Sequence, residues 1–295
     1  MYLTGFADEA SPDIDVQIRA TRELGWLNIE ARNVSVDGSP PQNLHDIPQE
    51  RFDEVCRRLE CAGIRVNCFG STIANWGKSV LDPLEITLAE VQRAIPRMQR
   101  LGTKLIRIMS YAVLKDRGPQ DQEERERFRR LREIVQRFGD AGLTAVHENC
   151  MNYGGLGWTF TQRLIENVQG LKLVFDTGNP IASKDYARTP PLPHQSSWEF
   201  YERVRDHVIY IHIKDGVIGP DGKIQYTFPG EGAGDVRRIV ADLLHRGYDG
   251  GISIEPHLKA VFHDPSVQSN EDVRYANYVE YGRRMERLIA ALRPA

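Results

Sequence analysis

Ala141-Gly142-Leu143-Thr144-Ala145-Val146-His147-Glu148 joins a glycine, a short apolar and β-branched run and a carboxylate. An amphipathic segment precedes it. Gly142 therefore reads as the left-handed residue that closes a helix, and 143–148 as the buried strand that follows. The same punctuation recurs at Gly25 before Trp26-Leu27-Asn28-Ile29-Glu30, at Gly63 before Ile64-Arg65-Val66-Asn67-Cys68 and at Gly102 before the run 103–109. It returns at Gly170 before Leu171-Lys172-Leu173-Val174-Phe175-Asp176 and at Gly247 before the run 248–255. Gly25, Gly63, Gly102 and Gly142 are 38, 39 and 40 residues apart, a period that points to repeated βα units.

Working outward, buried strands are expected near 2–6, 26–30, 65–69, 104–109, 143–148, 171–176, 208–213 and 252–255, each followed by a helical segment. Asp82-Pro83-Leu84-Glu85 offers a capping residue, a proline at the first helical position and a glutamate to reach back. Ser11-Pro12-Asp13 opens the first helix in the same manner, with Ser11 as the capping residue, and another starts after Asp235 with an apolar stripe of Val236, Ile239, Val240, Leu243 and Leu244. Eight βα units in 295 residues predict a (β/α)8 TIM barrel, one α/β domain spanning 1–295. A doubly wound sheet is the runner-up, but no glycine-rich phosphate loop follows the first strand. The Pro-rich stretch 189–193 and the segment 216–230 read as long βα loops, which in a barrel belong to the active face.

A hydrophobic fraction of 41% and a charged fraction of 27% suit a globular protein, and the net charge of -3 argues against a nucleic-acid surface. No stretch resembles a signal peptide or a membrane span, so a cytoplasmic protein without membrane partners is expected. Cys56, Cys61, Cys68 and Cys150 fit neither a disulfide framework nor a zinc knuckle.

Four consecutive strands finish in acidic or imidazole side chains: Glu148, Asp176, His212 and Glu255. Period-two alternation aims them inward. In Ile209-Tyr210-Ile211-His212-Ile213-Lys214 the isoleucines face the helices, so Tyr210, His212 and Lys214 face the barrel axis. Val146 shares a face with Glu148, Val174 with Asp176, and Ser253 with Glu255. Carboxylates converging there repel one another unless a cation sits among them. Three carboxylates and an imidazole suit one Mn2+, with Co2+, Mg2+ or Zn2+ as alternatives, and an octahedral ion would keep two positions open for substrate oxygens.

At these residues the chain resembles the xylose-isomerase-like TIM-barrel superfamily of sugar phosphate isomerases and epimerases, which shares its fold with the family 2 AP endonucleases. Gly5-Phe6-Ala7-Asp8-Glu9, His147-Glu148-Asn149, Phe175-Asp176-Thr177-Gly178-Asn179, His212-Ile213-Lys214-Asp215, Gly230-Glu231-Gly232 and Ile254-Glu255-Pro256-His257 carry the likeness nearly end to end. The resemblance implies a carbohydrate substrate, a divalent cation on Glu148, Asp176, His212 and Glu255, and proton transfer through an enediolate with Glu148 and Glu255 as acid and base. Against the ketose 3-epimerases the chain departs at Gly154, Asn179 and Ile218, where they carry Glu, His and Arg. Lys214 stands as a further catalytic candidate and His257, Arg32, Asn179 and Trp76 as substrate-binding candidates, with Arg32 able instead to pair with Glu30 or Asp8. The related inosose dehydratases also carry a His-x-Lys-Asp segment, so β-elimination by a lyase is the alternative reaction. An endonuclease site with three zinc ions needs more strand-end histidines than this chain supplies. Sugar identity and any homo-oligomer stay open.

Overall fold

A computed structural model of the protein describes residues 1–258 and 271–293. The barrel expected across 1–295 thus includes residues 259–270 and 294–295, which lie outside the described residues. In chain order the elements are β1 (Tyr2–Gly5), α1 (Ile14–Glu23), β2 (Asn28–Ala31), β3 (Asn33–Val34), β4 (Gln42–Asn43), α2 (Gln49–Ala62), β5 (Arg65–Gly70) and α3 (Leu84–Leu101). Then come β6 (Leu105–Ile108), α4 (Glu124–Asp140), β7 (Thr144–Glu148), α5 (Trp158–Asn167), β8 (Lys172–Asp176), α6 (Asn179–Ala182) and α7 (Ser197–Val204). The last are β9 (Val208–Ile213), β10 (Asp215–Ile218), β11 (Ile224–Thr227), α8 (Val236–His245), β12 (Gly251–Ile254) and α9 (Glu271–Leu292).

Eight strands pair in the order β1-β12-β9-β8-β7-β6-β5-β2, all in parallel, and a single parallel bridge between Phe6 and Glu30 joins the two ends. This is a TIM barrel, and each expected strand falls within two residues of an observed one. The glycines that punctuate the repeat, Gly25, Gly63, Gly102, Gly142, Gly170 and Gly247, all take φ between 67° and 83°. A side chain there would bring Cβ against the backbone, so glycine is the residue that ends the helix and turns the chain into the next strand.

The alternation of strand residues separates two interiors. Ile211, Ile213, Ile252 and Ile254 pack outward into the layer between sheet and helices. Cys68, Val146, Val174 and Tyr210 form a small cluster inside the barrel. Beside that cluster runs a polar ladder: Thr4 Oγ1 donates to Asn67 Oδ1 at 2.8 Å, Asn67 Nδ2 to the Tyr210 hydroxyl at 2.9 Å, and Tyr210 to Glu30 Oε2 at 3.0 Å. Satisfying each polar group in turn lets them sit in a buried core.

Three local expectations need correction. Helix α1 is capped by Asp13, whose carboxylate accepts from the amides of Asp15 and Val16, while Ser11 holds the Asp13 amide. Pro83 occupies the cap position of α3, so no side chain caps that helix, and Asp82 accepts instead from the Ser79 amide. Segment 216–230 is not all loop, since β10 and β11 pair antiparallel from Asp215↔Thr227 to Ile218↔Ile224. Stretch 189–193 forms neither helix nor strand, as expected.

Candidate metal centre

The C-terminal ends of β7, β8 and β9, and the residue after β12, deliver Glu148, Asp176, His212 and Glu255 to one point. All four are buried, and one ligand atom from each lies within 4.8 Å of the others. Their partners leave particular atoms over. Asp176 Oδ1 accepts from the amides of Gly178 and Asn179 at 2.8 and 2.6 Å, while Asp176 Oδ2 is buried without a hydrogen bond, with Lys214 Nζ 3.1 Å away as an ion-pair partner. His212 directs Nε2 at the Glu30 carboxylate, 3.0 and 3.1 Å from its two oxygens. That leaves Nδ1 buried without a hydrogen bond, 3.5 Å from Glu148 Oε1. A buried imidazole nitrogen and a buried carboxylate oxygen, neither of them hydrogen-bonded, inside a cluster of hard oxygen donors fit a divalent cation.

The electrostatics describe a site short of positive charge. Burial pushes the Asp176 carboxyl up to about 6, and Glu255 and Glu148 add to the rise against Lys214. Burial would lower His212, but Glu30 and Glu148 outweigh it and raise the imidazole to about 10. Burial likewise opposes ionisation of Glu148, yet Arg107 and His212 bring it down to about 2. Glu255 falls well below the usual range because Lys214, His257 and Arg32 overcome its burial. Lys214 loses by burial and gains more from Asp176 and Glu255, so its ammonium is held well above the normal value. The cluster recruits protons and ammonium groups where a cation would serve.

Neighbouring residues hold these groups in place. Asn149 clasps the backbone of Asp176, accepting from its amide at 2.7 Å and donating to its carbonyl at 3.0 Å, which gives His147-Glu148-Asn149 its structural meaning. A Cβ at Gly178 would lie 2.6 Å from Lys214 Cγ, so the glycine of Asp176-Thr177-Gly178 lets the lysine stem pass. Lys214 Nζ bridges Glu255 Oε2 at 3.0 Å and Asp176, and does not pair with Asp215. Asp215 instead collects the amides of Gly216, Gly230, Gly232 and Gly234 at 2.8 to 3.0 Å. Arg32 pairs with Asp8, Glu9 and Glu255, each at 2.9 Å; of the two partners open in the sequence, Glu30 is taken by His212 instead. His257 Nδ1 lies 2.9 Å from Glu9 Oε1, and Asn179 Nδ2 donates to Glu148 Oε1 at 3.2 Å.

A cavity of about 350 Å3 opens onto the cluster and is lined by Arg32, Trp76, Asn179, Lys214 and His257 together with Glu148 and Glu255. Asn33, Asn43, Thr72 and Asn75 add amide and hydroxyl groups suited to a polyol. Residue 154 could not carry the epimerases' glutamate unchanged, because a Cβ on Gly154 would meet His147 Cε1 at 2.4 Å. His147 points away to Ser110 Oγ, 3.0 Å off, and burial lowers its imidazole to about 4. Ile218 lies on β10, part of the ribbon whose other strand brings Tyr226 to the cavity.

Sequence reading missed Arg107, Glu30, Glu9 and Tyr226. Arg107 donates to Glu148 Oε2 at 3.0 Å and to the Ser71 carbonyl at 3.0 Å. Two of the four carried a signal: Ile106-Arg107-Ile108 and Ile29-Glu30-Ala31 each place one charge on the inward phase of a buried strand. Glu9 and Tyr226 lie outside the barrel strands; Glu9 belonged to the stretch Gly5-Phe6-Ala7-Asp8-Glu9 that carries the likeness but was given no role, and Tyr226 offered no signal.

The family model described as xylose isomerase-like TIM barrel matches residues 18–277. Among solved structures, a xylose isomerase-like TIM barrel protein from Mycobacterium smegmatis in complex with magnesium is 20% identical, with a TM-score of 0.64 over 94% of this chain and 88% of that one. A D-tagatose 3-epimerase-like protein is 15% identical, with a TM-score of 0.70 over 99% and 98%. The probable 3-DHS dehydratase AsbF from Bacillus anthracis is 16% identical, with a TM-score of 0.64 over 94% and 97%. At these identities the likeness is one of fold. A search of the curated proteins returns no match.

Proposed function

Because the chain belongs to the xylose isomerase-like TIM-barrel family, we propose that it is a divalent-cation-dependent sugar isomerase or epimerase, with Glu148 and Glu255 moving the proton. Glu148, Asp176, His212 and Glu255 would hold the cation, Mn2+ by preference. When bound, such an ion polarises a substrate carbonyl and hydroxyl and offsets the negative charge that develops on oxygen.

The observation that carries the reading is the pair of ionised carboxylates, Glu148 and Glu255, facing one polyol-sized cavity from β7 and from the end of β12. Each is clamped by cationic partners: Arg107 for Glu148, Arg32 and Lys214 for Glu255. The clamps fix the carboxylates in the proton-accepting form and set their orientation toward a bound sugar carbon. Asn179, His257 and Trp76 would contact the sugar from the cavity wall. Both carboxylates are buried, which would limit random exchange of an acidified carbon with bulk water.

A lyase reading shares this machinery, and Lys214 favours it. Its ammonium stands between Asp176 and Glu255, held in the charged form, so it can donate a proton to a departing hydroxyl but is poorly suited to act as a base. Ketoses, 3-keto sugars and inososes incubated with the Mn2+-loaded protein in D2O separate the two. Deuterium at the α-carbon without loss of water supports the isomerase, and loss of water moves the assignment to a dehydratase. Neither reaction on any substrate, or no stoichiometric Mn2+ or Co2+ on the wild type, Glu148→Gln and Asp176→Asn proteins alike, defeats the reading.

A further inference from the structure

A second cavity, of about 700 Å3, opens off the first across Trp76, Met151 and Ser183, which line both. Its walls are the segments after β6, β7 and β8. They bring Leu114, Leu156 and Tyr186 to a largely apolar chamber. Trp76 and Tyr186 are each 38% exposed and Met151 56%, so three large apolar side chains present themselves to one hollow beside the carboxylates. Ring faces and a thioether at the rim suit a flat aromatic group.

The chamber is built. Gln122 accepts from the Leu114 amide at 2.8 Å and donates to the Leu114 carbonyl at 3.0 Å. Arg127, fully buried, donates to the carbonyls of Ser110, Ala112 and Gln122, and burial lowers its guanidinium to about 10. Across the chamber Gln195 Nε2 ties the carbonyls of Gly155 and Lys184 at 2.8 and 2.9 Å, and the Tyr186 amide donates to the Leu156 carbonyl at 2.9 Å. Walls fixed in this way need little ordering when a ligand enters.

Its charge differs from that of the inner cavity, where every cation is matched by carboxylates. Arg117 is engaged by Glu123 and Asp121, but Lys115 and Lys184 form no ion pair among the described residues. An apolar chamber with two unmatched ammonium groups favours an aromatic ligand that carries negative charge.

We propose that the substrate is a two-part molecule, a keto-sugar ring in the inner cavity joined to a planar, anionic aromatic group in the outer one, with simple glycosides as its unreactive binding analogues. The inner half rests on the function proposed above; the outer half rests on the second chamber. Carboxylated aryl groups and nucleotides share this chemistry, and binding tells them apart.

The test is isothermal titration of the Mn2+-loaded protein with methyl, 4-nitrophenyl and 4-carboxyphenyl glycosides of D-glucose, D-galactose and D-xylose, and with UDP-glucose. For at least one sugar the aryl glycosides should bind about tenfold tighter than the methyl glycoside, the gain of burying one ring. The carboxyphenyl or the UDP arm should be tightest, and whichever leads names the source. Tyr186→Ala should collapse the aryl-to-methyl ratio toward one, and Lys115→Ala with Lys184→Ala should erase the advantage of charge over nitrophenyl. Equal methyl and aryl affinities, or no binding by any arm, overturn the two-part substrate and leave the D2O exchange result untouched. Methyl-glycoside affinity left unchanged by stripping the cation with EDTA and by Glu148→Gln counts against the cation-dependent reading, while a persisting aryl preference keeps the outer chamber's ligand class.

Discussion

At the scale of single residues, Glu30 is the side chain whose role is most sharply defined by geometry. It holds His212 by Nε2 and so presents Nδ1 to the cluster, while the Tyr210 hydroxyl donates to its Oε2. Glu30→Gln keeps the shape and removes the charge. Mn2+ affinity by titration should drop about 10- to 100-fold, and a change of less than twofold would assign Glu30 to packing alone. Arg107, with His212, overcomes the burial that opposes ionisation of Glu148. In Arg107→Met the carboxyl pKa rises, so the acid limb of kcat/KM moves to higher pH; an unmoved limb would refute the pairing. Binding of the proposed cation should have its own pH dependence. Asp176, at about 6, and His212, at about 10, must both shed protons before they can act as ligands. Apparent affinity should climb from pH 5 to pH 8, with protons released on binding, as titrations in two buffers of different ionisation enthalpy would reveal. Of these residues His212 and Asp176 stood out in the sequence, because they end strands. Glu30 and Arg107 did not, since an isolated charge in an apolar run does not name its partner across the barrel.

Among the elements, the ribbon β10–β11 carries the clearest dependence on one side chain. Asp215 fastens four glycine amides, three of them beyond the ribbon at Gly230, Gly232 and Gly234, and so ties down the long connection that follows β11. Asp215→Ala leaves those amides to find water. Denaturant unfolding should show a loss of about 3 kcal/mol, and the neighbouring Lys214 should be displaced, raising KM. Stability within about 0.5 kcal/mol of wild type would mean that the amides are met otherwise. Strand boundaries in the barrel were legible because alternation and the closing glycines both report them. The ribbon was not, since Gly216, Gly219, Pro220, Gly222, Pro229 and Gly230 read as loop chemistry, and four-residue strands are too short to show a period. The cap of α3 misled for a related reason, because Pro83 took the position that the sequence assigned to Asp82.

For the whole molecule, the cation should act as a stabilising ligand, because it links strands that are distant in the chain. At a concentration about 100 times its Kd it adds about 2.7 kcal/mol to folding, which raises Tm by about 5 °C for a chain of this size. EDTA should reverse the rise, and a Tm indifferent to Mn2+ would argue against a cation among those four side chains. The sequence by itself determined the barrel, its strand order and the four strand-end side chains, because each follows from local periods of two and 3.6 residues and from glycines obliged to take positive φ. Tertiary structure alone decided the partners: Glu30 behind His212, Arg107 on Glu148, Arg32 on Asp8, Glu9 and Glu255, and the second chamber beside the first. Those contacts join residues up to 223 positions apart, as Arg32 and Glu255 are. Closure of the barrel brings them together, and no local pattern in the chain encodes which inward charge will meet which.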